Sequence, residues 1–154
     1  MADQSFAFTA RRVLTAAGPD GSRALADGEP ADVLVLNGCR LVRLWQTDAV
    51  PGALPVTTDV TAHGLGPMPK PFNGTRFYTA ELPIGCRIPL HEAEQFDHIA
   101  VMKGQLTLVL ESGETDLGPG DTVVQCGNMH GWENRGAEPC VIAVVAVAAR
   151  TAAG

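Results

Sequence analysis

Turn residues recur along this chain at intervals that leave room only for short strands. Gly18-Pro19-Asp20-Gly21, Ser112-Gly113 and Gly118-Pro119-Gly120-Asp121 combine residues that fix φ or tolerate left-handed backbone. Turn signals every ~8–12 residues are the pattern of an all-β sandwich or barrel. Gly and Pro number 17 and 11 among 154 residues. No short period accompanies them, so the excess serves turns and not a collagen-like repeat. No repeat of about 20–50 residues is present either. Helix-compatible stretches are short, at residues 24–27 and 146–153.

The strands expected from this punctuation are residues 11–17 and 22–26 as a hairpin, then 32–36, 41–47, 75–82, 95–103, 105–111, 114–117, 122–126 and 140–147. In the segment 105–111, Leu106, Leu108 and Leu110 form a dry face against a wetter one with Gln105 and Thr107, which Val109 interrupts. Residues 140–147 are apolar on both faces, which suits a central strand covered on both sides or a subunit interface. Residues 1–48 read as N-terminal strands with a hairpin arm, 49–74 as a Pro/Gly-rich loop, 75–148 as the barrel core and 149–154 as a tail. The long loop is a lid over a barrel mouth, a stiff surface connection or a dimer arm.

One domain is the expectation for 154 residues. Hydrophobic residues at 45% and charged residues at 18% describe a compact soluble protein and not a disordered one. A formal net charge of −6 with no basic run argues against nucleic acid and against an anionic membrane as partner. The longest apolar run, residues 141–149, is about half a membrane span. Met1-Ala2-Asp3-Gln4 shows no basic region or apolar stretch of a signal peptide, so a cytoplasmic location is expected. Cys39, Cys86, Cys126 and Cys140 form no Cys-x-x-Cys pair, which excludes zinc-ribbon and thioredoxin-like readings. They are expected to be reduced and mostly to act as small apolar residues.

Chemistry-bearing residues concentrate in two segments. The first runs from Gly85 through His91, Asp97 and His98 to Gly104, and the second from Gly120 through Gln125, Gly127, His130 and Trp132 to Asn134. Together they resemble the two motifs of the cupin superfamily. Gly85, His91, Asp97 and Gly104 stand at the spacing of the first motif, with Ala93 where the family has a second His and Asp97 where it has Glu. Gly120, Gly127, His130 and Asn134 match the second, with one residue fewer after Gly120 and Gln125 in the place of Pro. Trp45-Gln46-Thr47-Asp48 and the Gln-x-Gly-x-x-His-x-Trp form are similar to a subgroup of small bacterial cupins. The resemblance covers about residues 75–148 and implies a double-stranded β-helix, that is, a jelly-roll barrel.

In such a barrel residues two apart on a strand share a face, so His91 and position 93 point inward. Asp97 follows on the next strand, and His130 sits beyond Gly127 where the chain bends in. His91, Asp97 and His130 are therefore the candidate catalytic residues. As two histidines and a carboxylate they are also candidate ligands for one divalent transition metal, Fe(II), Zn²⁺, Mn²⁺ or Ni²⁺. With no metal, the same groups suit general acid–base work: an imidazole base oriented by a carboxylate, and an acid of raised pKa. Three functions follow. The first is acid–base dehydration, isomerisation or cyclisation of a carbonyl-containing small molecule, possible in secondary or polyketide metabolism. The second is Fe(II)-dependent dioxygenation at a 2-His-1-carboxylate site, and the third is non-catalytic binding of a small ligand.

Trp45, Phe77, Tyr78, Gln125, Trp132 and Arg87 are candidate substrate contacts. Each has an alternative: core packing for the aromatics, a cross-strand amide for Gln125, and the wet face for Arg87 and for Arg76 beside it in chemistry. His98 should face away from Asp97 and pack or meet a partner. His63, in the loop, is either solvated or closes over a ligand. Cupins of this size resemble dimers in which N-terminal strands cross over, so a homodimer is expected.

Overall fold

The computed structural model describes residues 6–62 and 72–150. His63 and the rest of 63–71, part of the Pro/Gly-rich loop, lie outside the described residues. The described chain is all β. A separate hairpin comprises β1 (Arg12–Gly18) and β2 (Gly21–Gly28), joined at the anticipated Gly-Pro-Asp-Gly turn. Ten more strands follow: β3 (Val33–Leu36), β4 (Cys39–Thr47), β5 (Thr75–Leu82), β6 (Arg87–His91), β7 (Gln95–Lys103), β8 (Leu106–Leu110), β9 (Gly113–Leu117), β10 (Thr122–Cys126), β11 (His130–Glu133) and β12 (Cys140–Ala148). They form a six-stranded sheet, β10-β7-β12-β5-β4-β3, and a four-stranded sheet, β6-β11-β8-β9. All recorded pairings are antiparallel. Two sheets that exchange the chain in this order make a jelly-roll barrel. Among the described residues no helix is long and apolar enough to cross a membrane; the helix-compatible stretch 24–27 falls in β2, and of 146–153 the residues to Ala148 belong to β12 while 151–153 lie outside the described residues.

The core sits where the sheets face each other. Leu41, Leu82, Val101 and Ile142 of the larger sheet pack with Leu106, Leu108 and Trp132 of the smaller one. Burying each such side chain contributes about 1.5–3 kcal/mol. Thr107, expected on the wet face of β8, is buried, and its hydroxyl donates to Asp116 Oδ1 at 2.7 Å. A partner on β9 makes that burial affordable. β12 is a central strand between β5 and β7, and its even-numbered residues from Ile142 to Ala146 face the core.

β6 and β11 were not legible as strands. Pro89 interrupts β6, which is an edge strand where a missing donor costs little, and β11 has only four residues beginning His-Gly. Both histidines of the two motifs sit on these strands. The N-terminal segment crosses the outer face of β4 and β5. The backbone N–H groups of Ala7 and Phe8 donate to the Glu81 carboxylate at 3.0 and 3.1 Å, and Arg40 donates to Phe8 O at 2.6 Å. Arg12 binds Leu44 O at 2.9 Å and is ion-paired to Asp59. That guanidinium lowers the Asp59 carboxyl pKa to about 2 and ties the loop to the barrel at Asp59.

Candidate functional site

A cavity of about 170 Å³ opens between the sheets. Its lining combines apolar side chains, among them Leu41, Ile88, Ile99, Ile142 and Trp132, with His91, Gln95, Asp97, His130 and Tyr78. The volume lies below the ~300 Å³ of drug-sized sites, and so fits a small ligand.

His91 and His130 are register partners across β6 and β11. Their ring centroids lie 4.4 Å apart with the planes tilted by 52°. The edge of Trp132 meets His130 at 5.9 Å. Gly131 makes this approach possible: a Cβ there would come within 2.8 Å of Ile88 O, where the β6–β11 pairing is irregular. His91 Nδ1 lies 2.9 Å from Pro89 O, and His130 Nδ1 lies 2.8 Å from Asn128 O. A carbonyl only accepts, so each Nδ1 carries a proton, and in the neutral ring that leaves the lone pair on Nε2. Orientation thus falls to main-chain carbonyls, where sequence reasoning gave that role to Asp97. Burial lowers the His130 pKa, and the Asn128 carbonyl, by accepting from Nδ1, partly offsets it.

Asp97 is buried on β7 and its Oδ1 accepts from Gln95 Nε2 at 2.6 Å. Burial raises its pKa, while the Gln95 hydrogen bond and the fields of His130 and His91 oppose the shift. Burial thus disfavours the charged form of both groups, an imidazolium at His130 and a carboxylate at Asp97, so the site favours a neutral imidazole base beside a carboxyl that holds its proton more readily than usual. Gln95 is a neighbour that sequence reasoning missed, although it stands two residues from Asp97 on the same strand face. Gln125 is the register partner of Asp97 on β10, only 3% exposed, and its Nε2 has no hydrogen-bond partner among the described residues. Arg76 lies across Ala146 from Asp97 in the same row of the sheet and stacks its guanidinium 3.9 Å from the Phe72 ring centroid.

Other anticipated contacts are distributed differently. Tyr78 and Trp132 line the cavity. Trp45 and Phe77 are register partners beyond an irregularity at Arg43/Trp45, and neither is among the cavity residues. Arg87 extends into solvent and pairs with Glu133 at 2.7 Å. His98 is exposed, facing away from Asp97, with Nδ1 3.3 Å from Val145 O.

The donor set does not suit a transition-metal centre of the anticipated kind. The two Nε2 atoms form an imidazole pair held from behind, as metal-binding histidines are. The third ligand of the anticipated set, Asp97, does not converge with the two imidazoles and accepts instead from Gln95 Nε2, and Ala93 offers only a methyl group at the cavity. Among the described residues no three His, Cys, Asp or Glu side chains converge so as to hold an ion. Catalytic zinc and facial-triad iron each use three protein ligands.

Asn134, matched in the second motif, is structural. Its side chain is buried, with Nδ2 donating to Leu82 O and Glu138 O at 2.9 Å and Oδ1 accepting from Gly136 N at 2.9 Å. Its backbone exchanges hydrogen bonds with Gly85 and Cys86, both 2.9 Å.

Comparison with known proteins agrees with this architecture. Residues 78–146 match the Cupin domain family model, Cupin_2. The Schizosaccharomyces pombe Cnp3 cupin domain superposes with a TM-score of 0.57 at 10% identity, over 92% of this chain and 89% of that one. A Cupin 2 conserved barrel domain protein from Salinispora arenicola CNS-205 gives 0.52 at 18% identity, over 76% and 82%. Phomopsin biosynthesis cluster proteins C' and D of Diaporthe leptostromiformis are each 45% identical over 47 residues, 30% of this chain. The matched segment spans 25% of the length of those relatives. Residues 78–146 thus resemble a cupin domain, and the fold of the chain is similar to that of the solved cupin domains.

Proposed function

We propose that the protein is a small-molecule enzyme performing acid–base chemistry next to a carbonyl group: dehydration, isomerisation or cyclisation. The observation that carries this reading is the opposed perturbation of His130 and Asp97 around one small cavity. Neutral His130 offers Nε2 as the base that removes a proton α to the carbonyl. The protonated fraction of Asp97, which burial enlarges, donates to the carbonyl oxygen as the enol forms. Gln125, behind the cavity lining and in register with Asp97, has an unpartnered Nε2 available to hold that carboxylate, and His91 limits the approach to His130 from the opposite strand. The apolar part of the lining excludes water and strengthens each of these interactions. A biosynthetic substrate is favoured by the names of the two partial relatives, which tie those proteins to a biosynthesis cluster.

The test is deuterium incorporation from D₂O at the α-carbon of small β-dicarbonyl and α-hydroxycarbonyl compounds, followed by proton NMR. Exchange that depends on the protein and falls roughly 10²–10⁴-fold in His130→Gln supports the reading. Saturable binding without exchange for every compound bound would overturn it in favour of a ligand-binding protein.

We also propose a homodimer joined through the outer face of the six-stranded sheet. Val124, His98, Val145, Phe77 and Trp45 follow one another in register across β10, β7, β12, β5 and β4. Val124 is 60%, Phe77 41% and Val145 37% exposed. A second copy related by a two-fold axis would present the same stripe, and so cover it without a foreign partner.

A further inference from the structure

Cys39 opens β4 in the six-stranded sheet, and Cys86 immediately precedes β6 in the four-stranded sheet. Their Sγ atoms are 3.0 Å apart. Cys39 is 2% exposed and lines the cavity, while Cys86 is half-buried. Both sulfurs also approach Asn37 O, at 3.8 and 4.0 Å. The segments that carry them are held independently. Asn37 and Gly38 turn β3 into β4 with φ of 51° and 76°, and Cys86 bonds through its backbone to Pro83 O at 3.0 Å and to Asn134 N at 2.9 Å. Neither Cys126, which is exposed, nor Cys140, which is buried, has such a contact among the described residues.

We propose that Cys39 and Cys86 form a reversible dithiol–disulfide couple that staples the two sheets beside the cavity, with a small disulfide of the glutathione class as oxidant. The more accessible Cys86 attacks as thiolate. The Cys39 S–H donates to it, which lowers the Cys86 pKa and raises that of Cys39. Cys86 Sγ bonds to one sulfur of glutathione disulfide and expels the other as a thiolate, which takes up a proton. Cys39 then loses its proton, bonds to Cys86 Sγ and expels the second glutathione. Two protein thiols lose two electrons and two protons, and one glutathione disulfide becomes two thiols. Because Cys39 already touches Cys86, the mixed disulfide resolves without accumulating.

The experiment equilibrates the full chain in buffers of varied glutathione to glutathione disulfide ratio, quenches with acid, alkylates and maps peptides by mass. The expected oxidised product has lost two hydrogen atoms, carries a Cys39–Cys86 crosslinked peptide, and leaves Cys126 and Cys140 unlinked to each other. Its unfolding midpoint exceeds that of the reduced chain by roughly 5–10 °C, and the difference disappears in Cys39→Ser. In that variant one glutathione remains on Cys86. An oxidised wild-type chain with no Cys39–Cys86 crosslink would overturn the proposal, as would glutathione persisting on Cys86 while Cys39 is present. The wild-type peptide map decides the matter even if a variant fails to fold.

Discussion

His91 and His130 face each other across the β6–β11 pair, with ring centroids 4.4 Å apart and each Nδ1 turned back to a carbonyl two residues earlier in its own chain. Gly131 sets that spacing. Gly131→Ala brings a Cβ to 2.8 Å from Ile88 O and 3.2 Å from Leu90 N, so β6 must move away. Overpacking of this kind costs about 1–3 kcal/mol. Chemical denaturation should show the loss, and the α-proton exchange of the proposed reaction should fall with it. Unchanged stability and exchange would mean that β6 shifts freely without disturbing His91.

Asp97 is expected to be costly to the fold at neutral pH. Burial raises its folded pKa above the ordinary carboxylate value of 3.8, so the folded state resists its ionisation. Above both values the cost is fully present, and it fades as pH falls through the folded value toward 3.8. Asp97→Asn should therefore be more stable than the wild type at neutral pH, with the two converging in acid. Denaturant midpoints across that range check the sign. The same variant should lose exchange activity, as a proton donor that costs stability would.

The placement of His91, Asp97 and His130 on one cavity was legible through the resemblance of two glycine-punctuated segments to the cupin motifs, with face alternation in support; the strands that carry the two histidines were not legible in themselves. Trp45, a candidate substrate contact, is not among the cavity residues: an irregularity at Arg43/Trp45 shifts the β4 register, and a bulge leaves no mark in a pattern of residue types. Nor could side-chain spacing reveal that Asn128 O and Pro89 O orient the imidazoles, since every residue carries a carbonyl. The close approach of Cys39 and Cys86 depends on two segments 47 residues apart meeting between sheets, which only the topology supplies.

Asn134 links three parts of the barrel through its buried amide. Asn134→Ala removes those three hydrogen bonds and leaves the Leu82 carbonyl to find another donor. The expected loss is roughly 2–4 kcal/mol, read by urea denaturation. Asn134→Asp should retain only the acceptor toward Gly136 N and recover little. A loss under half the lower figure would show that water replaces the amide.

The outer stripe of the six-stranded sheet predicts the oligomeric state. Light scattering after size exclusion should return twice the chain mass for the wild type. Phe77→Glu combined with Val145→Glu should return the chain mass with the fold intact by circular dichroism. A monomeric wild type would contradict the dimer and leave the stripe without an occupant.

The central claim is that His130 is a neutral base with its proton on Nδ1. Long-range proton–nitrogen correlation NMR of the imidazole rings, followed across pH, addresses it most directly. The account predicts a protonated Nδ1 and an unprotonated Nε2 at neutral pH, with His130 taking up its second proton below the ordinary histidine value of 6.5. A proton resident on Nε2 at neutral pH, or charging of His130 above 6.5, would contradict it.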